Sequence, residues 1–107
     1  MEIEREQRKQ PRFSCSGDAQ VRMPVGNCCR AEILDLSLEG CLVELEEPKE
    51  LVLETILELT FTVNQLPFRV RGEVRSTRTP TTIGFQFPQL SERSRRQLQE
   101  LVDELAE

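Results

Sequence analysis

Leu57-Glu58-Leu59-Thr60-Phe61-Thr62-Val63 alternates apolar and polar residues without a break. Successive side chains of an extended strand point to opposite faces, so this run reads as a strand that buries Leu57, Leu59, Phe61 and Val63 and shows its glutamate and threonines to water. Downstream, Phe68, Val70 and Val74 alternate with Arg69, Arg71, Glu73 and Arg75, Gly72 takes an inward slot, and Ile83, Phe85 and Phe87 form a third set. Turn residues separate the runs at Pro24-Val25-Gly26-Asn27, Glu39-Gly40, Glu46-Glu47-Pro48, Asn64-Gln65-Leu66-Pro67 and Thr79-Pro80. Strands are predicted near 18–23, 29–36, 40–45, 56–63, 67–77 and 82–87. Six short strands at this spacing predict a mainly β fold, a six-stranded antiparallel β-barrel, rather than a parallel sheet.

The period changes near the C-terminus. Leu98, Leu101, Val102 and Leu105 fall at i, i+3, i+4 and i+7, one stripe of a helix, and Ser91 is a suitable N-cap. A C-terminal α-helix over about 91–105 is therefore expected to lay its leucines on the barrel and show Arg95, Gln99 and Asp103 to water. Before Phe13 the chain is charged and nearly free of apolar residues. The domain reading is a flexible arm over 1–12 followed by a barrel with its helix over 13–107.

With 107 residues, 37% of them apolar, the chain can bury one core without disulfides or metal. No stretch approaches the length of a membrane-spanning helix, and the charged N-terminus shows neither a secretory nor a lipidation signal, so a cytoplasmic protein with no membrane insertion is expected. Cys15, Cys28, Cys29 and Cys41 lack the spacing of a zinc site, no histidine is available to complete one, and reduced thiols are the simpler reading. Cys41, between Gly40 and Leu42, reads as a small buried hydrophobe.

A net charge of −5 argues against a partner that is a nucleic acid polymer. That average hides segregation. Residues 32–58 hold nine acids against Lys49 alone, whereas Arg5, Arg8, Lys9 and Arg12 cluster at the N-terminus and Arg69, Arg71, Arg75 and Arg78 along one later segment. Lacking any histidine and any phosphate-cradling glycine loop, the chain offers no catalytic constellation; it reads as a binding module with no catalytic residues, no metal and no cofactor.

Two short constellations carry binding chemistry. Arg8-Lys9-Gln10-Pro11-Arg12 sets two arginines four residues apart, a span of roughly 13 Å in extended chain that suits a small anion held from two sides. Asp35-Leu36-Ser37-Leu38-Glu39-Gly40 follows an apolar strand; Asp35 and Ser37 share a face if the backbone stays extended, and Gly40 admits a tight turn.

RxxxR followed by DxSxxG, matched at Arg8, Arg12, Asp35, Ser37 and Gly40, resembles the PilZ family. The resemblance runs through the Leu57 to Val63, Arg69 to Val74 and Ile83 to Phe87 strands and the closing helix, over roughly residues 8 to 105. It implies a barrel whose ligand is the bacterial second messenger cyclic di-GMP. By that resemblance Arg8 and Arg12 contact the phosphates and the guanine O6/N7 edge, Asp35, Ser37 and Gly40 hold a guanine from the barrel side, and Lys9 is an auxiliary phosphate contact. Gln7, just before RxxxR, is where relatives decide between one and two bound nucleotides. Some relatives offer an aromatic ring from a later strand. With no Trp or Tyr here, Arg75, or else Arg78, is the candidate to stack on a base, against the alternative that both are solvated strand residues.

The resulting expectation is a cyclic di-GMP receptor whose arm orders on binding and whose output passes to an unidentified effector protein. Its main rival is a degenerate PilZ-like interaction scaffold that binds no nucleotide. A third reading, a single-strand nucleic-acid barrel using Arg69, Arg71, Arg75 and Arg78, suffers because Phe61, Phe68, Phe85 and Phe87 fall on inward positions instead of offering stacking faces.

Overall fold

In the computed structural model, which describes residues 11–107, seven strands precede one helix. They are β1 (Phe13–Ser14), β2 (Asp18–Arg22), β3 (Cys28–Leu36), β4 (Gly40–Leu45), β5 (Ile56–Val63), β6 (Leu66–Thr77), β7 (Thr82–Gln86) and α1 (Glu92–Ala106). The six expected strands are present, each within one residue of its expected bounds. Strand β1 was not anticipated: it is only two residues long, too short to show a period.

All pairings are antiparallel, in the order β3-β2-β5-β6-β7-β4, and β4 returns to β3 to close a six-stranded barrel. Strand β1 continues along the edge of β3 that β2 uses, with Ser14 opposite Asp35. Closure requires strong bending, and β6 supplies it by pairing with β5 up to Glu73 and with β7 from Glu73 onward. Register shifts between Ile33 and Asp35 and between Val74 and Ser76 mark bulges where the sheet turns. The β5–β6 hairpin turns through Asn64 and Gln65, both with positive φ, as a two-residue connection demands.

The inward face is that expected from the alternation. Ile33, Leu36, Leu59, Phe61, Val74 and Ile83 are almost wholly buried, and Phe61 and Phe68 meet with ring centroids 5.4 Å apart. Leu98, Leu101 and Val102 of α1 join the same core, and Arg95, Gln99 and Asp103 are exposed. Ser91 caps α1, its hydroxyl accepting from the Ser94 amide at 3.0 Å. No helix among the described residues is long and apolar enough to cross a membrane.

Candidate functional site

The DxSxxG segment forms the connection from β3 to β4. Strand β3 ends at Leu36, so Ser37 lies outside extended chain and does not share a face with Asp35 in the way alternation predicts. The hydroxyl of Ser37 instead turns into its own bend, accepting from the amides of Glu39 (3.0 Å) and Gly40 (3.2 Å), while its amide donates to the Gly40 carbonyl at 2.9 Å. Only 2% of Ser37 is exposed. Gly40 is needed for a different reason from turn geometry. It opens β4 against β7, where an added Cβ would lie 2.1 Å from the Phe85 carbonyl oxygen.

Asp35 sits on the outer face of the barrel at the end of this turn. Arg12 reaches it, Nη1 to Oδ2 at 3.8 Å, with 33% and 20% of the two side chains exposed. The other carboxylate oxygen, Oδ1, is buried and has no hydrogen-bond partner among the described residues. An acceptor withdrawn from water without a donor costs about 1–3 kcal/mol, so such an oxygen needs a reason to persist. Two thiols feel the same charge: burial, with Asp35 adding to it, pushes Cys15 up to about 11 and raises Cys41 further. Both stay protonated near neutral pH and are no nucleophiles. The four cysteines are free, and among the described residues no group of three or more His, Cys, Asp or Glu is placed to hold a metal ion.

From Asp35 a row of outward residues crosses the sheet by register: Leu42 on β4, Gly84 on β7 and Ser76 on β6. Three strand spacings of about 4.8 Å carry this row roughly 14 Å from the carboxylate. Leu42 and Gly84 lie on the outer side of the sheet, because their neighbours Cys41, Val43, Ile83 and Phe85 belong to the core, but Leu42 is itself only 8% exposed. At Gly84 a Cβ would press to 2.7 Å from the Ser76 hydroxyl oxygen. Without side-chain bulk at Gly84, the row is a low floor between Asp35 and the bulge that carries Arg75. Arg75 is exposed and bonds Glu73 at 3.4 Å, while Arg78 lies beyond the bulge in the turn to β7. Arg12 and Asp35 are thus brought together, Ser37 and Gly40 build the bend beneath them, and Arg75 stands across the floor. Arg8, Lys9 and the greater part of the expected arm lie outside the described residues.

A motif scan of the sequence misses one polar cluster beside this floor. Glu44 accepts from Thr81 at 2.6 Å and Thr82 at 2.7 Å, and Thr79 ties the turn together by accepting from the Thr81 and Thr82 amides. These hydroxyls, Thr81 first, hold the Glu44 carboxyl below its usual range against a smaller opposing effect of desolvation. The signal available in sequence was the threonine run at 79–82, read only as a turn.

A family-level comparison matches residues 6–104 to the PilZ domain. The chain belongs to the PilZ family. Solved PilZ structures carry the same fold. The PilZ domain of YcgR from Escherichia coli, solved with c-di-GMP, superposes with a TM-score of 0.79 at 22% identity, over 94% of this chain and 92% of that one. YcgR from E. coli in complex with c-di-GMP gives 0.80 at 24% identity, with 94% of this chain aligned to 46% of that chain. The Bacillus subtilis inhibitor of motility MotI (DgrA) gives 0.71 at 14% identity, over 95% of this chain and 51% of that one. No curated protein shows significant sequence similarity to the chain.

Proposed function

We propose that this PilZ domain is a cyclic di-GMP receptor. The observation that carries the reading is the buried Oδ1 of Asp35, which has no hydrogen-bond partner among the described residues and lies beside Arg12. Guanine offers N–H donors that such an oxygen lacks, and its O6/N7 edge matches the fork of an arginine. A dianionic ligand on an acidic protein needs local cations, and Arg8, Lys9 and Arg12 are the residues proposed to supply them on an arm over 1–12 that closes over the nucleotide. Gly84, with no side chain, is proposed to leave room for a base or ribose beside the mostly buried Leu42, and Arg75 is proposed to stack or pair beyond it. Ser37 and Gly40 serve the site by fixing the bend that presents Asp35. Arm ordering then changes affinity for an effector protein.

Support comes from the family membership and from YcgR, a relative of the same fold solved with c-di-GMP. Calorimetric titration with cyclic di-GMP tests the proposal on wild type, Arg12→Ala and Asp35→Ala. Binding in wild type that weakens with salt and falls by about a hundredfold in each variant is expected, since a hydrogen bond to a charged group contributes about 1.5–3 kcal/mol. A folded wild-type chain that gives no heat at high nucleotide concentration discards the receptor reading in favour of a nucleotide-free scaffold.

A further inference from the structure

The connection from β4 to β5, residues 46–55, carries a second surface. Val52 and Leu53 are 72% and 54% exposed, and Ile56, the first residue of β5, is 51% exposed. The Val52 carbonyl accepts from the Thr55 amide at 3.2 Å, closing a β-turn with Leu53 and Glu54 at its centre. Glu54 holds a φ of +74°, at the turn position where glycine ordinarily supplies a left-handed conformation. The turn is nevertheless anchored to the barrel: the Glu54 amide donates to the Val74 carbonyl (2.7 Å) and the Val74 amide to the Thr55 carbonyl (2.9 Å). Apolar side chains held in water on an anchored, strained turn have no role in the fold, and strain of this kind gathers where a protein meets a partner.

Charge identifies the partner's chemistry. The connection holds Glu46, Glu47, Glu50 and Glu54 against Lys49 alone. None of these four carboxylates has an ion pair among the described residues, whereas Glu58 has Arg22 and Arg69, and Glu73 has Arg75. Arg30 lines one hollow with Glu46 and Glu47, and Arg78 lines another with Glu50, which leaves Glu54, on the turn itself, as the acid with no basic side chain paired to it among the described residues; that negative charge disfavours an anionic bilayer or a second copy of the same turn. It complements a segment that carries apolar and basic side chains together.

We propose that the turn from Val52 to Ile56 is a docking knob for a basic, apolar segment of a partner protein. The knob is anchored at Val74, beside the bulge that carries Arg75, so the floor and the knob share one strand segment. Docking itself is independent of nucleotide; its regulation by nucleotide rests on the receptor reading above.

The test follows backbone amides of the isotope-labelled full chain by NMR during titration with a synthetic peptide alternating leucine and lysine. Lysine–serine and leucine–glutamate peptides of equal length serve as controls. Shifts confined to residues 50–56 and the Val74–Arg75 neighbourhood are expected with the leucine–lysine peptide alone. Leu53→Asp, at an exposed position, is expected to leave the thermal midpoint unchanged and weaken the peptide at least about tenfold, about 1.4 kcal/mol. Glu50→Lys combined with Glu54→Lys is expected to transfer preference to the leucine–glutamate peptide. Shifts that map elsewhere, or that survive Leu53→Asp, overturn the proposal. So does a dimer in analytical ultracentrifugation that Leu53→Asp abolishes, or binding of anionic lipid vesicles through this turn. Adding cyclic di-GMP to the same samples separates the two claims: peptide binding at the knob without nucleotide binding retains the knob and discards the receptor, and the converse result discards the knob.

Discussion

Two turns flank β4, and they invert the usual relation between polarity and exposure. The first, from Ser37 to Gly40, is built around a hydroxyl, yet Ser37 is almost wholly buried and both its hydroxyl and its amide are bonded to backbone. The second, from Val52 to Thr55, places a valine and a leucine in water and sets a glutamate in a left-handed conformation. The first turn is optimised for its own geometry and, on the proposed reading, serves binding indirectly by fixing where Asp35 stands. The second is poorly suited to folding on its own account, and its features make sense only against something outside the chain. Local consistency marks the support of a site, and local inconsistency marks its contact surface.

The contrast breaks most severely at Gly40. Gly40→Ala sets a methyl group against the Phe85 carbonyl, a backbone atom that cannot swing aside, and is expected to destabilise the domain by about 3 kcal/mol or more in chemical denaturation. A variant as stable as wild type would mean that β4 and β7 do not approach as described. Next in size is Asp35→Ala, which is expected to weaken cyclic di-GMP by about 2–3 kcal/mol while leaving stability unchanged or raised, because it removes a buried oxygen without a donor among the described residues. Calorimetry and a denaturation curve on one preparation read both effects. Ser37→Ala should do the reverse. It leaves one buried and one partly buried amide donor without their acceptor and costs about 1–2 kcal/mol of stability, and it affects nucleotide only through that loss.

The second turn responds with opposite sign. Glu54→Gly relieves the left-handed strain and should stabilise the fold by about 1 kcal/mol, visible as a raised denaturation midpoint. A drop in stability would show that the Glu54 side chain supports the turn. The smallest effect concerns the polar cluster beside the floor. Because the folded Glu44 pKa lies below its ordinary value, its bonds to Thr81 and Thr82 support the fold above the unfolded pKa and are lost as pH falls through the lower folded value. Thr81→Val is expected to raise the Glu44 pKa toward its usual range in an NMR titration, with little change in stability at neutral pH.

Much of this was legible in the residue order because the barrel is built by strict alternation. Leu57 to Val63 and Phe68 to Val74 each bury one face, and period two leaves no second choice of which. The helix was equally plain, since Leu98, Leu101 and Val102 repeat at helical spacing beside a serine cap. What escaped depends on register. The bulges near Leu34 and Arg75, the two-residue strand β1 and the row from Asp35 through Leu42 and Gly84 to Ser76 arise from which strands become neighbours, and no local pattern encodes that. The motif was legible in sequence, but the local geometry of its residues was not. Asp35 keeps a buried oxygen with no donor among the described residues, whereas Ser37 and Gly40 are occupied by the backbone around them. The exposure of Val52 and Leu53 was hidden for a related reason: an apolar pair in a loop looks the same in sequence whether it tucks under the barrel or stands away from it.

Strand β6 has one residue with a double engagement. Val74 has its side chain in the core, gives its amide proton to Thr55 and takes one from Glu54, and it adjoins the bulge at Arg75. Its amide is therefore a built-in clock for the adjoining 52–55 turn. Deuterium replaces that proton only when the 52–55 turn lifts away, so one exchange rate, recorded with and without nucleotide, reads how far a message from the ligand side has travelled.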